Sequence, residues 1–231
     1  MFVVPARSVV HATPRTRILT LDLRGRAFTF AAGQAVLVGL ANGSVRRPYS
    51  IASAPSRLRE DESLELLVQI DGSAEDPHLE CAVPGTLVSI EGPFGSFCLP
   101  APVAESRVLF VAGGTGIAPL RSMLREVLEG HPAIRPTLIY SARGPEEFAF
   151  LDEWTRLASE GRLDLYLTVT RSGVSDWSGS RGRIDDKVIA SVVPAPDTRC
   201  FVCGPPAMVS DTVRWLRAAG VPDNRIQSEA E

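Results

Sequence analysis

An apolar strand, a turn with three glycines in four residues and a proline-opened helix follow one another between Val108 and Gly130. Few folds accommodate that order. Val108 to Ala112 reads as a buried strand, Gly113-Gly114-Thr115-Gly116 as the turn, and Pro119 as part of a helix's first turn. Leu120, Met123, Leu124, Val127 and Leu128 then share one helical face, and Gly130 supplies the stop. Backbone N–H groups at the start of such a helix lack intrahelical partners and favour a pyrophosphate. Pro119 stands where a G-x-G-x-x-G turn has its third glycine. A plain strand–turn–helix junction does not call for so many glycines, so a phosphate-bearing nucleotide is the expected ligand.

The rest of the second half repeats the unit. PTLIYS, LDLYLTVT and RCFVC read as further strands. PEEFAFLDEWTRLASEG, DDKVIASVV and PPAMVSDTVRWLRAAG read as helices, and RIQS as a final edge strand. Alternating strand and helix predicts a parallel, doubly wound sheet. The first half differs: RILTLDL, QAVLVGL, SLELLVQI and TLVSIEG are short apolar runs punctuated by glycines, the pattern of an antiparallel β-barrel. The expected organisation is therefore two domains, a barrel over residues 1–102 and an α/β doubly wound parallel sheet over 103–231, joined within Leu99 to Ser106.

Composition excludes other classes. A formal net charge of −3 argues against nucleic acid or an anionic membrane as partner. No apolar stretch reaches membrane-spanning length and no secretory leader is evident, so a cytoplasmic protein is expected. Of 24 basic residues only Lys187 is a lysine, and arginine suits phosphates. His11, His78 and His131 lack metal-ligand spacing, and Cys200 and Cys203 have no second pair to complete a cluster, so no metal is expected.

A second constellation lies at Arg47-Pro48-Tyr49-Ser50. In an extended segment Arg47 and Tyr49 share one side. A guanidinium can fork onto a phosphate, and a phenol ring can cover a flat heterocycle while a nearby hydroxyl donates to it. A flavin answers that description; an isolated R-P-Y-S also fits an ordinary strand edge. Arg143 follows the second parallel strand, where an acid that holds an NAD ribose would stand. Arg171 and Arg183 follow the third strand, and arginines there suit a 2′-phosphate. Cys203-Gly204-Pro205 closes the fourth strand, placing a thiol at the crevice; a buried structural cysteine fits that segment equally well.

RPYS at 47–50, GPFGSF at 92–97, GGTGIAP at 113–119 and CGPPAM at 203–208, in this order, resemble the ferredoxin–NADP reductase family over nearly the whole chain. The resemblance implies a flavin barrel followed by an NAD(P)-binding domain, and hydride passing from nicotinamide to FAD. Electrons would then leave singly to a separate ferredoxin-like or flavodoxin-like protein or an oxygenase component. It implies that Arg47 binds flavin phosphate, Tyr49 stacks on the ring, Ser50 bonds near N5, and Pro48, Ile51, Ala52 and Ser53 complete that wall. It further implies that Gly114, Thr115 and Gly116 hold the dinucleotide pyrophosphate, and that Cys203 lies near nicotinamide C4 with Gly204 and Pro205 beside it. NADPH is the implied coenzyme, with NADH an allowed alternative. The flavin pyrophosphate stretch begins at Gly72, but Asp76 stands where relatives carry a serine or threonine, which leaves FAD against FMN open. Many relatives carry a functional glutamate followed by an aromatic; here Glu229 is followed by Ala230. A flavin or ferric reductase, or an electron-transfer subunit of a larger complex, is the alternative function, and the sequence is compatible with a monomer.

Overall fold

Twelve strands and five α-helices build two six-stranded sheets among the described residues. The computed structural model describes residues 1–70, 79–171, 177–192 and 197–230. The first sheet holds β1 (Phe2–Thr13), β2 (Thr16–Asp22), β3 (Ala35–Leu40), β4 (Arg47–Ser50), β5 (Ser63–Gln69) and β6 (Leu87–Phe94), in the order β4-β3-β6-β1-β2-β5. Every pairing is antiparallel. The ends of that order meet just beyond β4: Ile51 bridges Leu66, and the Ala52 N–H donates to Glu65 O at 2.8 Å. Closure gives the expected barrel shape, filled by side chains such as Leu21, Val36, Ile51, Leu64 and Ile90. The four apolar runs correspond to β2, β3, β5 and β6. β1 is absent from that reading because Pro5 and His11 interrupt its alternation, although Val4 and Ala6 face the core. A short helix α1 (Pro55–Asp61) was not expected either; Pro55 opens it and Glu62 ends it in the left-handed region at φ 51°.

The second sheet is wholly parallel. It contains β7 (Arg107–Gly113), β8 (Thr137–Ala142), β9 (Asp164–Val169), β10 (Ser180–Arg181), β11 (Thr198–Gly204) and β12 (Ile226–Ala230), in the order β10-β9-β8-β7-β11-β12. From the central β7 the chain proceeds first to β8 on one side and later to β11 on the other. That reversal opens a crevice beyond the carboxyl ends of β7 and β11, where a ligand finds room between diverging connections. The connecting helices are α2 (Ile117–Gly130), α3 (Leu151–Ser159), α4 (Asp186–Val192) and α5 (Pro206–Ala218). α2 buries the predicted face, with Leu120, Met123, Leu124 and Val127 wholly inaccessible.

One helix is shorter than its sequence pattern suggests. The expected helix from Pro145 is a 3₁₀ turn over Pro145–Glu147, and α3 begins only after Phe150, which sits at φ 61°. Tertiary contacts override the propensity. The Phe148 ring meets Tyr140 edge-on at 5.0 Å, the Ala149 N–H donates to the Tyr140 hydroxyl, and the Ala149 carbonyl accepts from Trp154 Nε1. The two halves also share packing: Ala32, Ala52, Phe97 and Leu99 of the first join the core built from α2, β7 and β8.

Candidate active site

A cavity of about 600 Å³ lies at the carboxyl ends of the parallel strands. Gly113, Gly114 and Thr115 line it, as do Pro205, Ala207 and Met208 at the start of α5. Two helix N-termini therefore converge there. Neither has a side-chain cap, so backbone donors are left for an anion. Glycine is needed at these positions for separable reasons. Gly114 lies at φ 58° with nothing within 4 Å of where a Cβ would stand, so its outer side is open. Gly116 has an ordinary helical φ of −58°, but a Cβ there would stand 2.4 Å from the Cys203 carbonyl oxygen and 2.7 Å from Gly204 N. The turn is thus pressed against the backbone of β11. From below, the buried Tyr140 hydroxyl donates to Gly114 O at 3.0 Å and fixes the turn's height.

Cationic side chains complete the wall. Arg143, next after β8, and Arg183, two residues beyond β10, both line the cavity together with Thr170. β10 is what brings Arg183 there. Ser180 and Arg181 pair with Thr168 and Val169, the Gly182 N–H donates to Val169 O at 2.8 Å, and Thr168 Oγ1 donates to Gly182 O at 2.7 Å. Arg171, expected beside Arg183, is not part of this wall. Its N–H donates to Arg143 O at 3.0 Å, and Arg143 takes the position facing the cavity.

The barrel supplies the opposite wall with Arg15, Thr16, Leu67 and Gln69. Arg15 reaches across to Glu147, Nε to Oε1 at 2.7 Å. Sequence reasoning missed both residues. The turn between β1 and β2 lies 132 positions from Glu147, and no local pattern signals that contact.

The RPYS segment forms β4, a sheet edge paired with β3 through Ser50 opposite Ala35 and Tyr49 opposite Val36. Arg47, Tyr49 and Ser50 are half-buried, and Pro48 is exposed. A guanidinium, a phenol ring and a hydroxyl on one accessible edge suit a phosphate-bearing flat ring, so the donor set fits a flavin nucleotide. Ile51 and Ala52 are fully buried, and their N–H groups already donate to Gln34 O and Glu65 O. The Ser53 hydroxyl accepts from the Glu65 N–H at 3.0 Å. These three residues close the barrel behind the site. Gly72 and Asp76 lie outside the described residues, as does His78.

Cys203 departs from expectation. Instead of facing the crevice it is fully buried and does not line the cavity. Alternation along β11 turns Phe201 and Cys203 toward the core that contains α2, while Cys200 and Val202 face the other way. Glu229 pairs with Cys203 across β11 and β12, and Ala230 with Gly204. Partial burial holds the Glu229 carboxyl above its ordinary range. Burial, and then the Glu229 charge, push the Cys98 thiol up as well. No described helix is long and apolar enough to cross a membrane.

Residues 110–214 match the family model of the oxidoreductase NAD-binding domain. Ferredoxin–NADP reductase B of Sorangium cellulosum is 36% identical over 216 residues, spanning 89% of this chain and 86% of that protein. The chain belongs to the ferredoxin–NADP reductase family. It is an NAD(P)H oxidoreductase of that type, with an antiparallel barrel beside a parallel sheet that carries the NAD-binding match. The reductase is also 31% identical to the reductase subunit of an aromatic O-demethylase from an Amycolatopsis species, of which it spans 64%. Among solved structures, the Amycolatopsis cytochrome P450 reductase GcoB superposes with a TM-score of 0.83 at 27% identity, over 99% of this chain and 69% of that one. The fold of a Neisseria gonorrhoeae ferredoxin NADP+ reductase, solved with bound FAD and NADP, matches with a TM-score of 0.81 at 24% identity over 99% and 98% of the two chains.

Proposed function

We propose that the reductase oxidises NADPH at the cavity between β7 and β11 and delivers the electrons, through FAD held against β4, to a ferredoxin-like or flavodoxin-like protein or an oxygenase component. One observation carries this reading. The cavity combines two uncapped helix N-termini with Arg143 and Arg183; the residue directly after β8 is Arg143 rather than an acid, and Glu147 on the same wall is paired with Arg15. A flavin held there would supply a two-electron acceptor for the nicotinamide hydride and a one-electron donor to the acceptor protein. The chain does the placing. Arg47 neutralises flavin phosphate, Tyr49 covers the ring, and Ser50 donates toward N5 from the end of β4. Gly114, Thr115 and Gly116 present N–H groups to the coenzyme pyrophosphate, and Arg143 and Arg183 meet the 2′-phosphate. Gly204 and Pro205 carry the chain from β11 into α5 along the opposite lip. The backbone of Cys203 forms the floor under Gly116, and Glu229 pairs with Cys203 from the neighbouring β12. None of the four cysteines forms a disulfide, which suits a reducing, cytoplasmic setting.

The test is anaerobic titration of the flavin-loaded protein with NADPH and with NADH, followed by visible absorbance. Bleaching by NADPH at lower concentration than by NADH is expected. Absence of bleaching by either coenzyme overturns the reading. Electron delivery is then read with ferredoxin, flavodoxin and free flavin as acceptors. Faster turnover of free flavin than of either protein would overturn the acceptor class and favour a flavin reductase.

Arg47→Ala tests the flavin wall. Loss of a charge-assisted phosphate contact costs about 1.5–3 kcal/mol, so the variant is expected to purify with much less flavin and to rebind it roughly 10- to 100-fold more weakly. A full flavin complement with unchanged affinity would remove Arg47 from the phosphate role.

A further inference from the structure

Two consecutive residues of α2 grip two consecutive carbonyls just beyond β4. Arg121 Nη1 donates to Ala52 O at 2.9 Å, and Ser122 Oγ donates to Ser53 O at 2.7 Å. The same guanidinium donates to Glu65 Oε2 at 2.7 Å and, through Nε, to Glu153 Oε2 at 2.8 Å, and it lies 4.2 Å over the Phe150 ring. Arg125 shares Glu153 at 2.6 Å. Burial opposes ionisation of Glu153, but the two guanidinium groups outweigh it and hold the carboxyl below its ordinary range. Arg121 is only 7% exposed and Ser122 is fully buried. The cluster thus joins β5, the segment after β4, α2 and α3 at one point.

Packing alone does not account for an arginine there. Apolar side chains would fill an interface between two halves at least as well, without desolvating charges. What the guanidinium adds is direction, because a planar fork fixes several acceptors at set angles. The placement matters because α2 follows directly on the Gly114–Gly116 turn, while Ala52 lies two residues after Ser50. We infer that Arg121 and Ser122 are positioning residues that fix the Ser50 end of β4 relative to the Gly114–Gly116 turn, and with it the approach of nicotinamide to flavin. The inference rests on the functional reading above, in which those two segments hold the flavin and the coenzyme. Neither residue touches the reacting atoms. Both act through the two loops they tie together.

The experiment compares Arg121→Met, Arg121→Lys and Ser122→Ala with Arg199→Met in the flavin-loaded protein. Arg199→Met also breaks a part-buried ion pair, with Glu105 at 2.6 Å, but within the parallel-sheet half and apart from both loops. Stopped-flow reduction at saturating NADPH gives the limiting rate, NADP+ titration gives coenzyme affinity, and melting gives stability. A misplacement near 1 Å costs hydride transfer about 100-fold, so Arg121→Met should slow the limiting rate by about 10- to 100-fold with coenzyme affinity nearly unchanged. Arg121→Lys should recover part of that rate, and Arg199→Met should melt earlier without slowing it.

Spin labels on exposed Cys81 and on Tyr166→Cys, in a Cys98→Ala background, report placement without turnover. Their distance distribution should broaden with Arg121→Met and not with Arg199→Met. If Arg121→Met does not fold, Ser122→Ala carries the test with an expected rate loss of roughly 3- to 10-fold from one weakened tether. Rates slowed no more than in Arg199→Met, or an unbroadened distribution, overturn the positioning role while wild type is still reduced normally. A wild type reduced by neither coenzyme overturns the functional reading, and this inference with it.

Discussion

Gly116→Ala is expected to slow NADPH-driven flavin reduction by about 100-fold or more, whereas Gly114→Ala slows it far less. The two glycines lie in one turn but are required for different reasons. At Gly116 a methyl group would meet the Cys203 carbonyl carbon at 2.5 Å and its oxygen at 2.4 Å. Backbone atoms of a central strand cannot swing aside like the end of a long side chain. The turn must lift off β11, which misaligns its N–H donors and the start of α2 together. Overpacking of this kind costs about 1–3 kcal/mol, so the melting temperature should fall by roughly 2–10 °C. At Gly114 the strain is only that of a left-handed residue, about 1–2 kcal/mol, in open space. Stopped-flow reduction and thermal melting of both variants check the ranking. Equal, mild effects would mean that the turn is not wedged against β11.

The second large effect concerns coenzyme choice. Removing Arg143 and Arg183 together should raise the NADPH KM by roughly 100-fold or more, since each charge-assisted phosphate contact contributes about 1.5–3 kcal/mol. The NADH KM should stay within a factor of about two, because NADH carries no 2′-phosphate for either arginine to lose. Arg171→Ala should change neither coenzyme appreciably, as its side chain is not on the cavity wall. Steady-state kinetics with both coenzymes decides the matter. A parallel loss for NADPH and NADH would assign the arginines to the pyrophosphate or to the fold, and a selective loss in Arg171→Ala would return that residue to the 2′-phosphate.

The family's modules were legible because their signals are local. Three glycines before a helix, a Pro-Tyr-Ser edge and a Cys-Gly-Pro-Pro turn each depend on a few neighbouring residues whose backbone requirements show in the residue types themselves. Strand and helix periodicity likewise marked β2, β3, β5 and β6 and every strand of the parallel sheet except the two-residue β10. The limits of α3 were not legible, because Phe148 and Ala149 leave a good helical pattern to pack beneath Tyr140.

Sequence alone determined the glycine turn that opens α2 and the Arg-Pro-Tyr-Ser strand edge, since those features reside in backbone freedom and side-chain chemistry over short spans. Only the tertiary structure decided which arginine faces the cavity, that Cys203 lies in the core, that Arg15 reaches Glu147, and that Arg121 ties α2 to the end of β4. Each of those depends on strand order and on contacts between residues far apart in the chain. Such contacts arise when the barrel and the parallel sheet bury surface against each other, and no short window of sequence records that burial.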